Sequence, residues 1–174
     1  MSAELHSVSI GPVQLLWERA PDRWRHRLLA DERVLLTSEE GDGTDLFPPS
    51  PAYQEMLIES PEPGISEFQL MGLSGRTVYS ASVRVNERER IIDFDCCARI
   101  KQEETTTRSI ATYRLPTGAT RSAGADGLTL EWNAGPEKPV ALKLMPLSMD
   151  GAVTSVHQEG ALWSVGWLDR KSVV

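Results

Sequence analysis

The segment from residue 90 to residue 100 alternates apolar and polar side chains, and this pattern constrains the fold more than any other feature of the chain. One face carries, in order, Ile92, Phe94, Cys96, Ala98 and Ile100. The opposite face carries Asp93, Asp95 and Arg99, together with Ile91 and Cys97. Successive side chains of a β-strand point to opposite sides, so this period of two is typical of a strand with one buried face. We therefore predict a strand with Phe94 inside and the two aspartates at the surface.

Turn-forming residues recur along the chain, as in Gly11-Pro12, Asp31-Glu32 and Asp126-Gly127. Short apolar segments lie between them, and the candidate strands are 4–10, 13–19, 23–30, 33–38, 66–73, 76–85, 90–100, 108–115, 127–133, 138–145, 152–158 and 161–168. Twist makes a sheet of so many strands curl or split in two. We predict an all-β fold, a mostly antiparallel two-sheet sandwich with at most one or two short helices; the alternative is a closed or partly open β-barrel.

Two segments are less regular. Ser50 can cap a short helix that begins at Pro51, but the residues from Tyr53 to Glu59 also fit a strand at a sheet edge. Thr117, Gly118 and Gly124 indicate a pause in the pattern between residues 117 and 126. Both sides of this pause have the character of strands, so we predict a single β domain over residues 1–174.

Charge and the length of apolar runs argue against two classes of partner. The chain has 25 acidic and 18 basic residues, which gives a formal net charge of −7. Binding to nucleic acid needs a concentrated basic surface, and the only basic cluster, formed by Arg23, Arg25 and Arg27, has acidic neighbours. No apolar run is long enough to span a membrane. We expect neither a nucleic-acid partner nor a membrane partner.

The two cysteines, Cys96 and Cys97, are adjacent in sequence. Neighbours on a strand point to opposite faces, so these two thiols cannot readily bond to each other within one chain. Unpaired thiols suit a reducing compartment. The first twelve residues have neither the basic nor the apolar region of a secretion signal. We therefore expect a soluble, cytoplasmic protein.

Common cofactor and catalytic motifs are absent from the sequence. There is no phosphate-binding P-loop and no dinucleotide-binding glycine pattern. The segment around Ser74 resembles a nucleophile elbow, but Arg76 stands where the second glycine is required. A metal site built from His6, His26 and His157 would need three separate strands to converge. We expect no cofactor and no metal.

One set of residues suggests acid–base catalysis. His26 lies on the apolar face of its strand beside Trp24 and Leu28, where an aliphatic residue is usual. It is a candidate general base, with Glu55, Asp93 and Asp95 as candidate acids or orienting groups. The simpler interpretation makes His26 a hydrogen-bonded residue at the edge of the core. Asp93 and Asp95 share a strand face about 7 Å apart, which fits either paired carboxylates or an ordinary solvated face.

A second set of residues suggests ligand binding. Arg76 and Tyr79 follow a tight turn and can line a cleft with the face that carries Arg99. Trp163 and Trp167 share a face near the end of the chain, where exposed rings can stack on a flat ligand. The other tryptophans, among them Trp17 and Trp24, are in register with aliphatic neighbours, which indicates core packing.

Two hypotheses for function follow. The first is a ligand-binding or interaction domain without catalytic activity, and it is favoured because no pattern has the specificity of a catalytic signature. The alternative is a small enzyme that acts on a sugar-like or other polar metabolite through His26 and a carboxylate. The sequence leaves open whether the partner is a small molecule or a protein, and also the oligomeric state.

Overall fold

Strands make up most of the chain that the computed structural model describes, namely residues 3–41, 49–75, 77–100, 106–115, 120–124, 127–132, 139–146, 153–159 and 162–170. They are β1 (Leu5–Ile10), β2 (Val13–Arg19), β3 (Trp24–Ala30), β4 (Arg33–Ser38), β5 (Glu55–Glu62), β6 (Ile65–Ser74), β7 (Thr77–Asn86), β8 (Ile91–Ile100), β9 (Thr106–Arg114), β10 (Thr120–Gly124), β11 (Gly127–Trp132), β12 (Val140–Pro146), β13 (Val153–Glu159) and β14 (Leu162–Arg170). No helix occurs in these ranges, and therefore none in them that could cross a membrane.

The strands form two sheets of seven. The first sheet has the order β1-β2-β3-β4-β9-β14-β13, and the second has the order β10-β11-β12-β8-β7-β6-β5. Neighbouring strands are antiparallel except β12 and β8, which run parallel. Each sheet ends in two different edge strands, so neither closes on itself within the described ranges. The predicted all-β, two-sheet sandwich is confirmed.

Several predicted turns connect neighbouring strands directly. Asp31 and Glu32 join β3 to β4 with φ values of 48° and 64°. A two-residue hairpin turn with positive φ at both positions matches the right-handed twist of the strands that it joins. The glycine of the β1–β2 turn, Gly11, has a φ of 58°. These turns join β1 to β2 and β3 to β4 in antiparallel pairs.

Strands β5 and β10 lie in the two segments whose sequence pattern is irregular. The structure makes residues 55–62 strand β5, so the helix predicted as one alternative after Ser50 is wrong. Strand β5 pairs with β6 from Glu55 to Glu62, and its backbone is therefore satisfied by a neighbouring strand. Residues 120–124, in the predicted pause, form β10 and pair with β11. The sequence of β10, TRSAG, has no apolar alternation that would have indicated a strand.

The core lies between the two sheets. On β8, Ile92 and Phe94 are 0% and 1% exposed, which confirms the predicted inner face, while Asp93 and Asp95 are half-buried on the outer face. The rest of the core comes chiefly from β2, β3, β6 and β7, through Val13, Leu15, Trp17, Trp24, Leu28, Phe68, Leu70, Tyr79, Ala81, Val83 and Val85. Trp17 and Trp24 are thus core residues, as their aliphatic neighbours predicted.

A close backbone approach fixes the start of β5. The chain crosses β6 at Gly72, where a Cβ atom would overlap the carbonyl oxygen of Ala52. Beyond the crossing, the side chain of Gln54 extends the strand pairing. Its Oε1 accepts from the backbone N–H of Leu73 at 2.6 Å, and its Nε2 donates to the Leu73 carbonyl at 2.9 Å. Glycine is therefore required at position 72 for β5 to reach the edge of the second sheet.

The face assignment of β8 gives a stability prediction. Phe94→Ala should lower the free energy of unfolding by about 3–5 kcal/mol, because a large buried ring is replaced by a cavity. Asp95→Ala, on the outer face of the same strand, should cost much less. Urea denaturation of both variants measures the difference, and equal losses would show that the two faces have been assigned the wrong way round.

Candidate functional site

His26 lies inside the sandwich. Strand β3 directs its side chain into the core, where 5% of the residue is exposed. Its ring is 4.6 Å from the ring of Trp17 on the neighbouring strand and 4.9 Å from the ring of Phe94 on the opposite sheet, centroid to centroid. Its Nε2 is 3.0 Å from the hydroxyl oxygen of Tyr113 on β9. His26 therefore packs between the sheets and hydrogen-bonds to a second buried side chain.

Burial keeps the His26 ring neutral. Loss of solvation lowers its pKa from 6.5 to about 3. Among the residues that the structure describes, its Nδ1 has no hydrogen-bond partner. A general base acting near neutral pH needs a pKa close to that pH and access to a substrate. The environment of His26 instead favours a neutral ring that joins the two sheets.

A group of buried polar residues lies next to His26, where β4 leaves β9. The backbone N–H of His26 donates to Ser38 Oγ at 3.2 Å, and that hydroxyl donates to Glu40 Oε1 at 2.7 Å. Glu40 Oε2 is 3.9 Å from Nη1 of Arg23, which in turn bonds to Asp22 at 2.8 Å. Burial raises the pKa of the Glu40 carboxyl, an effect that its bond from Ser38 opposes. The Ser38 hydroxyl thus satisfies the backbone N–H of His26 at the end of β4.

Arg23 departs from the sequence interpretation. The candidate strand 23–30 begins at this residue, but in the structure Arg23 lies just before β3 and is 1% exposed. Its guanidinium pairs with the adjacent Asp22 and with Glu40, which comes from a later segment. The local sequence pattern could not show the pairing with Glu40.

The predicted carboxylates lie away from His26. Asp93 and Asp95 are on the outer face of β8, and Glu55 is on the outer face of β5. The inner face of β8, with Phe94, separates the aspartates from His26. Loss of solvation raises the pKa of Asp95. The structure thus brings Glu55 and Asp95 to one surface but does not bring either of them to the imidazole.

A groove crosses the outer face of the second sheet from β5 to β8. Its volume is about 460 Å³, and its lining includes the predicted residues Glu55 and Asp95. The cross-strand register arranges the outer side chains in two rows, first Leu57, Gln69, Ser82 and Asp95, then Glu55, Met71, Ser80 and Cys97. Gln69 Nε2 donates to Ser82 Oγ at 3.2 Å. We call this feature the β5–β8 groove.

Charged side chains border one side of the β5–β8 groove. The register places Glu59, Glu67, Arg84 and Asp93 in one row from β5 to β8. Arg84 lies opposite Asp93, but its guanidinium bonds to Glu67 at 3.1 Å and approaches Glu62 at 3.6 Å. Within this row Arg84 and Glu67 therefore form an ion pair, which Glu62 approaches from outside the row.

Apolar side chains border the other side and the mouth of the groove. Leu57, Met71 and Leu73 are 58%, 53% and 46% exposed. A smaller hollow of about 200 Å³ beside Leu73 shares Glu55 and Met71 with the groove and extends it toward Val78. Met71 and Leu73 were not predicted as site residues from the sequence. The usable signal was that β6 carries Phe68 and Leu70 on one face and Met71 and Leu73 on the other, so one end of the strand is apolar on both faces.

Of the predicted ligand-binding residues, Tyr79 is the one whose side chain the structure describes. Tyr79 faces the core and is 2% exposed, and burial raises the pKa of its hydroxyl. Arg99 lies on β8, whereas Trp163 and Trp167 lie on β14 of the other sheet. The side chains of these three residues, and the whole of Arg76, fall outside the part that the structure describes.

Within the described ranges, no group of three or more His, Cys, Asp or Glu residues is arranged to hold a metal ion. The carboxylates at the β5–β8 groove, Glu55 and Asp95, come from the two strands at its opposite ends. The groove thus offers an apolar rim, neutral hydroxyl and amide groups, and two separated acids.

The buried imidazole gives a pH prediction. In the unfolded chain His26 is protonated below about pH 6.5, whereas in the folded protein it is protonated only below about pH 3. Stability should therefore fall as the pH is lowered through this window, by up to about 1.4 kcal/mol per pH unit from this residue. His26→Gln removes the titrating group and should flatten that part of the profile. Urea denaturation at several pH values measures the effect.

The control is His6→Gln, which removes a surface imidazole of β1. Glu40 has a raised pKa, so its contribution to the free energy of unfolding falls as the pH rises above 4.5. The parent and both variants share this contribution, so subtracting the parent's profile from each variant's profile removes it. A His26→Gln profile parallel to those of the parent and of His6→Gln would contradict the assignment.

Comparison with protein-family models, curated proteins and solved structures finds no match for this chain. On the surface of the described residues, the β5–β8 groove combines exposed apolar side chains with neutral hydroxyl and amide groups.

Proposed function

We propose that this protein is a binding module without catalytic activity and that the β5–β8 groove is its binding surface. One observation carries the proposal. Of the five large hydrophobic side chains that are exposed in the described ranges, four lie on β5 and β6; they are Leu57, Ile58, Met71 and Leu73. Clustering of this kind on adjacent strands is typical of an interaction site, whereas scattered apolar residues are ordinary.

The core does not account for the three of these side chains that point outward. Leu57, Met71 and Leu73 point away from the other sheet, and their exposure contributes nothing to the burial that holds the sandwich together. Covering apolar surface is favourable by about 25 cal/mol per Å². A partner that covers this rim gains that free energy, which the isolated domain leaves unused.

The shape and chemistry of the groove favour a polypeptide over a small polar metabolite. The groove crosses four strands and is open along its length, with Leu57 at one end and Asp95 at the other. Sites for small polar molecules enclose the ligand and converge several polar groups on it. Here Ser80, Ser82 and Gln69 supply neutral hydrogen-bonding groups between apolar ones, a mixture that suits a peptide chain.

Peptide selection tests the proposal. Random 12-residue peptides displayed on phage are selected on the immobilised protein, and the enriched peptides are synthesised and measured by calorimetry. Binding should weaken at least ten-fold in the double variant Leu57→Gln/Met71→Gln, because the apolar rim is lost. The substitutions are at exposed positions, so the free energy of unfolding should change by no more than about 0.5 kcal/mol at each.

The matched control is Leu5→Gln, which removes a side chain of similar exposure, 54%, from β1 of the other sheet. It should leave the affinity of the selected peptides unchanged. The proposal fails if no peptide is enriched, or if the enriched peptides bind the double variant as tightly as they bind the parent.

A further inference from the structure

Strand β5 is an open edge of the second sheet. It ends the strand order and, in the part of the chain that the structure describes, pairs only with β6. We propose that this edge binds an extended polypeptide segment as an additional strand, and that the segment has the pattern basic–apolar–apolar–apolar–basic opposite residues 55–59. This inference rests on the proposed binding function and specifies the partner.

The backbone of β5 is suited to strand addition over a limited length. Pairing with β6 is regular from Glu55 to Glu59, and a register shift follows between Glu59 and Glu62. Pro61 lies within that shifted part. Bulges and prolines are common devices that block the edge of a sheet, and an unblocked edge is a template for another chain. The available stretch is therefore the five residues 55–59.

The side chains of β5 define what an added strand must carry on each face. Glu55, Leu57 and Glu59 point to the outer face, in register with Met71, Gln69 and Glu67. Met56 and Ile58 point inward, in register with the core residues Leu70 and Phe68.

Ile58 shows that the inner side of this edge is incompletely covered. It is 38% exposed although it faces the interior. An apolar side chain on the added strand opposite Ile58 would cover it, in the same way that cross-strand pairs stabilise a sheet. Opposite Leu57, on the outer face, a second apolar side chain would extend the rim of the β5–β8 groove.

Charge determines the two ends of the pattern. Glu55 and Glu59 are exposed, and neither makes an ion pair with a residue in the described ranges. The neighbouring acids Glu62 and Glu67 already have Arg84 as a partner. Directly opposite side chains of unlike charge stabilise a strand pair, and those of like charge destabilise it. The unpaired acids therefore select Lys or Arg at both ends of the added strand.

The same charges argue against a second copy of this chain at the edge. An antiparallel pair of β5 strands centred on Leu57 would join the two apolar triplets, but it would set Glu55 of each copy against Glu59 of the other. Two pairs of like charges would then face each other at close range, on molecules that each carry a net charge of −7. A partner with basic flanks avoids both penalties.

The experiment uses a fluorescein-labelled peptide with the core Lys-Val-Val-Val-Lys between Gly-Ser flanks, titrated with the full chain and followed by fluorescence anisotropy. The matched peptide replaces both lysines by glutamates and should bind at least ten-fold more weakly. Two further peptides carry an N-methyl group on one or the other of two successive valines. Alternate amides of an added strand face β5, so one of these two should lose binding far more than the other.

The variant Glu55→Gln/Glu59→Gln should weaken binding of the lysine peptide about three- to ten-fold, as expected for two exposed ion pairs. Added salt should reduce the remaining difference between parent and variant. The control is Glu87→Gln/Glu89→Gln, which removes the same charge from the exposed β7–β8 turn and should leave the affinity unchanged.

The outcomes separate this inference from the proposed function. Equal binding of the lysine and glutamate peptides, or equal effects of the two N-methyl groups, would overturn strand addition. If the affinity of the phage-selected peptides still depends on Leu57 and Met71, the proposed binding function would hold without strand addition. A dimer in sedimentation that Leu57→Gln dissociates would also overturn the inference, because the edge would be occupied by a second copy.

Discussion

The packing of Phe94 against His26 and Trp17 joins the two sheets, and the rest of the structure depends on it. Phe94 lies on β8 in the middle of the second sheet, and its ring centroid is 4.9 Å from that of His26 and 6.1 Å from that of Trp17. All three side chains are almost fully buried. The imidazole is neutral in this position, because burial lowers the pKa of His26 to about 3. The residue that most resembled a catalytic base is thus a component of the core.

The same alternation that places Phe94 inside creates the candidate binding surface outside. Each inward residue of β6, β7 and β8 has an outward neighbour, and the strand register lines these neighbours up across the sheet. Near β5 the outward residues include the exposed apolar side chains of Leu57, Met71 and Leu73, and β5 pairs with a strand on one side only in the described part of the chain. The proposed binding function and the proposed strand addition therefore both concern the β5 edge of the second sheet. The fold depends instead on the packing between the two sheets.

Much of the fold could be predicted because it depends on local pattern. Alternation around Phe94 gave the buried face, and Asp31-Glu32 gave a hairpin turn. β5 remained ambiguous because Met56, Leu57 and Ile58 are three apolar residues in a row, which fits no single period.

The candidate site was harder to predict because its parts come from distant strands. Glu55 and Asp95 were identified, but the groove between them depends on the register of four strands. Tyr79 was expected to line a surface cleft, yet it lies on the inner face of β7 with Ala81 and Val83, and the alternate residues Ser80 and Ser82 face the groove.

The adjacent cysteines test the central claim, that β8 separates a packed interior from an exposed groove. Cys96 packs against the core, its Sγ is 3.5 Å from the Tyr53 hydroxyl, and burial raises the pKa of its thiol to about 11. Cys97 lines the β5–β8 groove. Labelling of the native protein with a maleimide, followed by peptide mass spectrometry, should modify Cys97 faster than Cys96. Faster modification of Cys96, or equal rates at both thiols, would contradict the account.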